Sequence, residues 1–412
     1  MLASSARPPA RGAVVASRRK PAVRVVAAAA ATDSAAIGTV QLGKTGASNR
    51  RSARRRRPAL FPPAHSPPPP PPPPQKAGLE IPPLGFGAWS WGDRSNYWGY
   101  QKTYQKADNS AAYTALQRLA AQGKIPGGRA FIDTAEVYGY GLSETFIGEF
   151  MREEEEGKAA ARGGAIAPRP FICTKFAPLP WRVSRGQVTS AAKASAERLG
   201  VSQIDLYIQH WPGFLTSGLS NAAFAEGLAD VAEAGIARAV GASNFNARRV
   251  REAADALERR GLSLSSNQVQ YSLLYRAPES NGVLEACRER GATLVAYSPL
   301  TQGLLTGAYR PGGPLPSGPR AALYGGKIKE ISTLLDLMKQ IGDARGGKTP
   351  AQVALNWIMK QGIVPIPGAK NARQVEDLVG ACGWCLDDGE WDALDAESRR
   401  VKPPLGAPFE NW

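Results

Sequence analysis

The chain has 412 residues, a net charge of +16 and 43% hydrophobic residues, enough apolar content to rule out wholesale disorder. No run of about 18 apolar residues marks a membrane-spanning helix, and four cysteines (Cys173, Cys287, Cys382, Cys385) exclude a disulfide scaffold and suit a reducing compartment. Spread evenly, +16 would point to nucleic acid, but residues 1–78 hold 14 of the 51 basic residues and only one of the 35 acids, Asp33. Residues 79–412 keep 37 basic against 34 acidic groups, so the body of the chain is nearly neutral.

Residues 1–31 are rich in Ala, Ser and Arg and contain no acid, the composition of an organellar transit peptide; a retained basic tail is the alternative. Residues 32–78 form a low-complexity, Arg- and Pro-rich segment. Within it Gly38–Thr45 (GTVQLGKT) matches the P-loop pattern, which cradles phosphate only where a buried strand enters and a helix leaves. ASNRRSARRRRP follows instead of a helix, so the match reads as a β-turn of small residues. The eight prolines Pro67–Pro74 favour an extended polyproline conformation outside any packed core.

From residue 79 the chain alternates. Short β-rich runs at 85–89, 130–135, 170–176, 204–211, 237–245, 266–271, 293–298 and 363–367 are separated by stretches with i, i+3, i+4 apolar spacing. Such stretches include 110–121, 189–199, 247–259, 280–290, 327–342 and 350–361. Thr349-Pro350 supplies an N-cap and a first-turn proline, and Asn109-Ser110 offers another start signal. Nearly continuous apolar strands alternating with helices predict a parallel sheet covered on both faces. Eight units in one domain, 79–412, with no Gly-x-Gly-x-x-Gly fingerprint, predict an α/β fold of the (β/α)₈ TIM-barrel class carrying a disordered basic N-terminal extension.

In such barrels reactive groups collect at the C-terminal strand ends. Asp133, Lys175, His210, Ser243, Asn244, Gln268, Tyr297 and Ser298 all fall there, and His210 is the only histidine of the body. FIDTAEVYG (131–139), CTKF (173–176), DLYIQHWP (205–212), GASNF (241–245) and NQVQYSLLYR (267–276) resemble the signature blocks of the aldo-keto reductases. AYSPLTQGLLTG (296–307) and IPGAKNARQ (366–374) extend the resemblance over about residues 79–400, and LGFGAWSWGD (84–93) is similar to the plant and cyanobacterial branch, often plastid enzymes. In that family LGKTG runs straight into LEIPPLG as a hairpin, so residues 47–78 read as an insertion; a polyproline or Arg-rich binding arm is the competing reading.

The resemblance implies an NADPH-dependent reductase of aldehyde or ketone carbonyls, with a catalytic tetrad at Asp133, Tyr138, Lys175 and His210. A phenol is a reluctant acid near neutrality; a lysine ammonium beside Tyr138 is expected to lower its pKa, with Asp133 balancing Lys175. His210 is expected to orient the carbonyl and share the proton. The family pattern places Ser243, Asn244 and Gln268 on the nicotinamide carboxamide, Tyr297 beneath its ring and Ala88 and Trp89 beside its ribose. It places Ser298, Leu300 and Gly303 at the pyrophosphate, and Arg320, Lys370, Gln374 and Arg373 near a 2′-phosphate. Ala308, Gln374 and the Asp377-Leu378 pair depart from residues common in that family, leaving NADPH against NADH open.

Cys382-Gly-Trp-Cys385 has redox spacing without a thioredoxin-like context. Trp89, Trp91, Trp181 and Trp211 are expected at the rim, lining a substrate pocket or packing there. The expected partner is a small carbonyl compound, with no metal, nucleic acid or membrane; a monomer fits, and a plastid is the expected compartment, ahead of mitochondrion or cytoplasm. A nicotinamide-binding sensor with little turnover is the alternative, disfavoured because family members of that kind replace the histidine that His210 retains.

Overall fold

The computed structural model describes residues 36–43, 79–93, 106–160, 168–213, 219–316 and 319–404, all within the unit Ala35–Trp412. The transit segment 1–31 and the insertion 47–78 lie outside the described residues, as do Lys44 and Thr45 of the P-loop-like stretch.

A hairpin of β1 (Val40–Leu42) and β2 (Leu79–Ile81) precedes eight parallel strands. These are β3 (Phe86–Gly87), β4 (Phe131–Asp133), β5 (Phe171–Phe176), β6 (Ile204–Gln209), β7 (Ala237–Ser243), β8 (Leu264–Gln270), β9 (Thr293–Tyr297) and β10 (Val364–Ile366). They pair in sequence order, and the first returns to the last: Gly85 and Gly87 donate to the carbonyls of Pro365 and Pro367, at 3.0 and 2.9 Å. A Cβ on Gly85 would stand 2.6 Å from the Phe131 ring, so this seam needs glycine. The sheet is the expected (β/α)₈ barrel.

Helices cover its outside: α1 (Lys106–Ala121), α2 (Leu142–Ala160), α3 (Arg185–Leu199), α4 (Asn221–Glu233), α5 (Ala247–Glu258), α6 (Ala277–Ser280) and α7 (Val283–Glu289). α8 (Pro319–Tyr324), α9 (Lys327–Glu330), α10 (Ser332–Ala344) and α11 (Pro350–Met359) lie between β9 and β10, and α12 (Ala372–Val379) and α13 (Asp388–Ser398) complete the chain. Thr349 caps α11 with a full capping box to Gln352, as its sequence signals. Asn109-Ser110 does not start α1: the helix is already formed at Lys106, and buried Asn109 donates to the Lys370 carbonyl. The stretch 280–290 breaks at Gly282, where φ is 80°, and 327–342 divides at Ile331.

Strand alternation sorts the core into two layers. Outward Ile132, Ile172, Phe176 and Tyr207 pack under the helices. Inward Phe131, Phe171, Leu206, Ile208, Val295, Val364 and Ile366 fill the lumen, closed below by Leu42 and Ile81 of the hairpin. That floor fixes the hairpin register, Val40 against Ile81 and Leu42 against Leu79, although 36 residues separate the two strands. Closing so long a loop costs more entropy than closing the four residues left by deleting 47–78, by about 2 kcal/mol. The deletion is therefore expected to raise the free energy of unfolding by that amount, as followed by circular dichroism in urea.

Candidate active site

The inward residues change character one step above the apolar layer. On β5, Phe171 and Cys173 are followed by Lys175; on β4, Phe131 by Asp133; on β6, Leu206 and Ile208 by His210. Lys175 is wholly buried, and its Nζ donates to Asp133 Oδ2 at 2.6 Å, the Thr134 carbonyl at 2.8 Å and the Tyr138 hydroxyl at 3.3 Å. Those bonds use all three ammonium donors. Asp133 Oδ1 accepts from Gln268 Nε2 at 2.7 Å.

Tyr138 reaches this group on a 3₁₀ turn, Tyr138–Gly141, that needs glycine at its second position. Gly139 has φ 57°, and a Cβ there would stand 2.4 Å from the Gly92 carbonyl oxygen. The first turn of α2 pins the other end. Ser143 Oγ accepts from Thr134 Oγ1 and donates to the Ala88 carbonyl, while buried Glu144 accepts from Thr174 Oγ1 and Arg198. Ahead of the turn, Glu136 takes both Arg182 nitrogens and the Ala177 N–H, tying the β4 loop to the β5 loop.

Burial alone would lower the Lys175 pKa, but the Asp133 carboxylate and Tyr138 outweigh it and hold the ammonium above its usual range. Burial pushes the Tyr138 phenol up, and the downward pull of Lys175 is smaller, so the phenol sits above 10 rather than below it as expected. Burial, then the Lys175 charge, hold His210 well below 6.5, so its imidazole is neutral. Its ring meets Tyr138 edge-on, centroids 5.5 Å apart, and lies 4.7 Å from Trp211.

These groups open onto a cavity of about 1050 Å³. Asp133, Tyr138 and His210 line it with Trp89, Ser243, Asn244, Gln268, Tyr297, Ser298, Leu300, Gly303, Arg320, Lys370 and Gln374, so most of the expected residues converge. Besides Lys175, four of the named residues lie off the lining. Ala88 is fully buried off the cavity, its backbone bonded to Asp133 and Trp91. Trp91 is buried with Nε1 on the Ala369 carbonyl, and Trp181 is 66% exposed away from the cavity, leaving Trp89 and Trp211 as the tryptophans of the lining. Arg373 is absent from the lining, and the Gln374 side chain already accepts from the Lys370 N–H.

Sequence patterns overlooked Val137, Gln270, Gln302, Tyr309 and Tyr324, which also line the cavity. The available signal was the small-residue run after β9, where Ser298, Thr301 and Gln302 adopt φ of 51°, 46° and 53° and Gly303 reaches 103°. Burial pushes the Cys382 thiol up to about 12 and raises Cys385 as well, the opposite of a reactive pair. Among the described residues no helix is long and apolar enough to cross a membrane, and no cluster suits a metal ion.

A model of the aldo/keto reductase family matches residues 83–399. The chain is 37% identical over 316 residues to the chloroplastic pyridoxal reductase of Arabidopsis thaliana, covering 76% of this chain and 82% of that one. It is 32% identical over 275 residues to the NADH-specific methylglyoxal reductase of Escherichia coli K12, covering 63% and 80%. Among solved structures it is similar to an aldo-keto reductase from Klebsiella pneumoniae in complex with NADPH, at 25% identity and TM-score 0.56, over 79% of this chain and 93% of that one. A thermostable aldo-keto reductase bound to the inhibitor epalrestat gives 26%, 0.57, 78% and 97%.

The buried ion pair generates a stability prediction. Lys175→Met strands the Asp133 carboxylate and is expected to cost about 3–5 kcal/mol in urea unfolding. Lys175→Met with Asp133→Asn is expected to recover most of that loss.

Proposed function

The chain belongs to the aldo/keto reductase family, and we propose that it reduces an aldehyde or ketone to an alcohol with NADPH, Tyr138 delivering the proton. The observation that carries this reading is Lys175 bonded to the Tyr138 hydroxyl, which lines a cavity that Arg320 and Lys370 also line.

When bound, the nicotinamide supplies a hydride to the carbonyl carbon, and the oxygen then requires a proton. The Tyr138 hydroxyl holds that proton. The phenolate left behind faces the Lys175 ammonium, which Asp133 keeps charged. A neutral His210 orients the carbonyl by hydrogen bonding instead of sharing the proton, because its pKa is held so low.

The lining residues fit a dinucleotide. Tyr297 ends β9 beside Ser243, Asn244 and Gln268, suited to a nicotinamide, and Ser298, Leu300 and Gly303 follow toward a pyrophosphate. Burial and the neighbouring Arg320 charge lower Lys370 to about 8, a repulsion that a bound phosphate would relieve. This supports NADPH over NADH, even though one relative is named NADH-specific. Beside Tyr138 and His210, Trp89 and Trp211 make an apolar wall of the cavity. That wall favours an uncharged aromatic aldehyde of the kind named in the Arabidopsis relative, pyridoxal. The same relative and the Arg/Ser-rich leader support a plastid location.

NADPH and NADH oxidation followed across aldehydes and ketones, pyridoxal included, tests the reading. Tyr138→Phe is expected to lose about 10²–10⁴ in turnover while still binding NADPH; equal rates in wild type and variant would falsify the assignment. Because Lys370 is charged below about 8 and neutral above it, NADPH affinity relative to NADH is expected to fall as pH rises from 7 to 9. Lys370→Met is expected to flatten that dependence in equilibrium titrations.

A further inference from the structure

Among the described residues, three of the five non-glycines with left-handed backbone fall in one run after β9: Ser298, Thr301 and Gln302. Thr301 is the most unusual of them. Its φ is 46°, where a β-branched side chain crowds the backbone, and such a residue persists only if its surroundings hold it. Thr301 is buried and absent from the cavity lining, whereas Leu300, Gln302 and Gly303 around it line the cavity.

The hold comes from the neighbouring strand end. Ser272, also buried, lies just past β8, and its Oγ is 3.1 Å from Thr301 Oγ1. The same Oγ accepts the N–H of Leu274 at 3.2 Å and that of Tyr275 at 3.0 Å. A hydroxyl has two acceptor lone pairs and a single proton to give. With both lone pairs taken, the Ser272 O–H must be the donor and Thr301 Oγ1 the acceptor. From the other side, Arg320 of α8 donates to the Gln302 carbonyl at 3.3 Å. The run is thus clasped at two successive residues.

We propose that Ser272 and Thr301 are positioning residues for the cofactor: their hydrogen bond holds the backbone at Thr301 left-handed and so pre-forms the loop that presents Leu300 and Gly303 to the cavity. Neither side chain touches the ligand. This rests on the NADPH reading above and adds to it a device that sets affinity from behind the loop. Without the Ser272 bond, the backbone at Thr301 relaxes toward the right-handed or extended region that its side chain prefers. Only the fraction of molecules still holding the loop then binds well, and the apparent affinity falls by that fraction.

Cutting back Ser272 would strand two backbone N–H groups, so the test falls on Thr301, with NADPH binding followed by tryptophan fluorescence. Thr301→Val keeps the volume and the β-branch but loses the oxygen, and is expected to bind about tenfold more weakly. Thr301→Gly loses the oxygen too, yet accepts left-handed backbone freely, and is expected to stay within about threefold of wild type. Thr301→Ser keeps the oxygen and is expected to stay within about twofold. A residue that merely fills space gives the reverse order, valine closest to wild type and glycine worst. Amide hydrogen exchange over residues 298–307 of the ligand-free protein reads the loop itself. There Thr301→Val is expected to exchange about tenfold faster than wild type and Thr301→Gly no more than about threefold faster. Glycine worse than valine in either measurement, or valine equal to wild type, overturns the proposal. Should circular dichroism show Thr301→Val unfolded, Thr301→Ala replaces it: alanine has a Cβ and no oxygen, and must bind more weakly than glycine. Should wild type bind no NADPH, the cofactor reading falls and the exchange order alone decides this one.

Discussion

An ammonium with no access to water persists in a barrel lumen only if each N–H finds an acceptor and the charge finds a counterion. For Lys175 those partners are Asp133, the Thr134 carbonyl and the Tyr138 hydroxyl, all drawn from one neighbouring strand and the turn that follows it. The requirement propagates outward. β4 and β5 must pair with Asp133 beside Cys173, two residues short of Lys175, so that carboxylate and ammonium meet diagonally. The chain after β4 must fold back sharply, which calls for Gly139, and the returning turn must be anchored through Ser143 and Glu144 to the outward faces of the same two strands. Lys175 therefore organises residues on both sides of the sheet.

Two electrostatic environments share one cavity. Beside Tyr138, Lys175 is matched by Asp133, so the phenol hydroxyl sits next to a charge already balanced. Elsewhere in the lining Lys370 is half-buried and faces the like charge of Arg320.

How much of this could be read from residues alone differs by level. Nearly continuous apolar runs located every barrel strand because lumen and shell are both apolar; β3, β4 and β10 shrank most, to Phe86–Gly87, Phe131–Asp133 and Val364–Ile366. That Asp133, Lys175 and His210 meet was legible because strand parity turns all three inward, each one inward step beyond its neighbour's level. Helix boundaries were less so: Asn109 resembles a cap yet is buried within α1, since tertiary packing against the β10 loop outranked its local preference. The sign of the Tyr138 shift was also out of reach, because it depends on how deeply the hydroxyl is buried and no residue type encodes that. The Gln268–Asp133 bond joins residues 135 positions apart across the lumen, a relation that only closure of the barrel creates.

Among the described residues five that are not glycine adopt left-handed backbone: Tyr140, Asn244, Ser298, Thr301 and Gln302. All five follow the C-terminal ends of strands, above the polar layer. At about 1–3 kcal/mol each, their summed cost approaches the whole net stability of an ordinary domain. The apolar lumen and helical shell beneath must hold that conformation in place. In terms of local unfolding, the molecule is graded from a stable base to a taut upper rim. The first segment to open on warming is then the one that surrounds the cavity, so thermal loss of ligand binding should precede loss of the barrel itself.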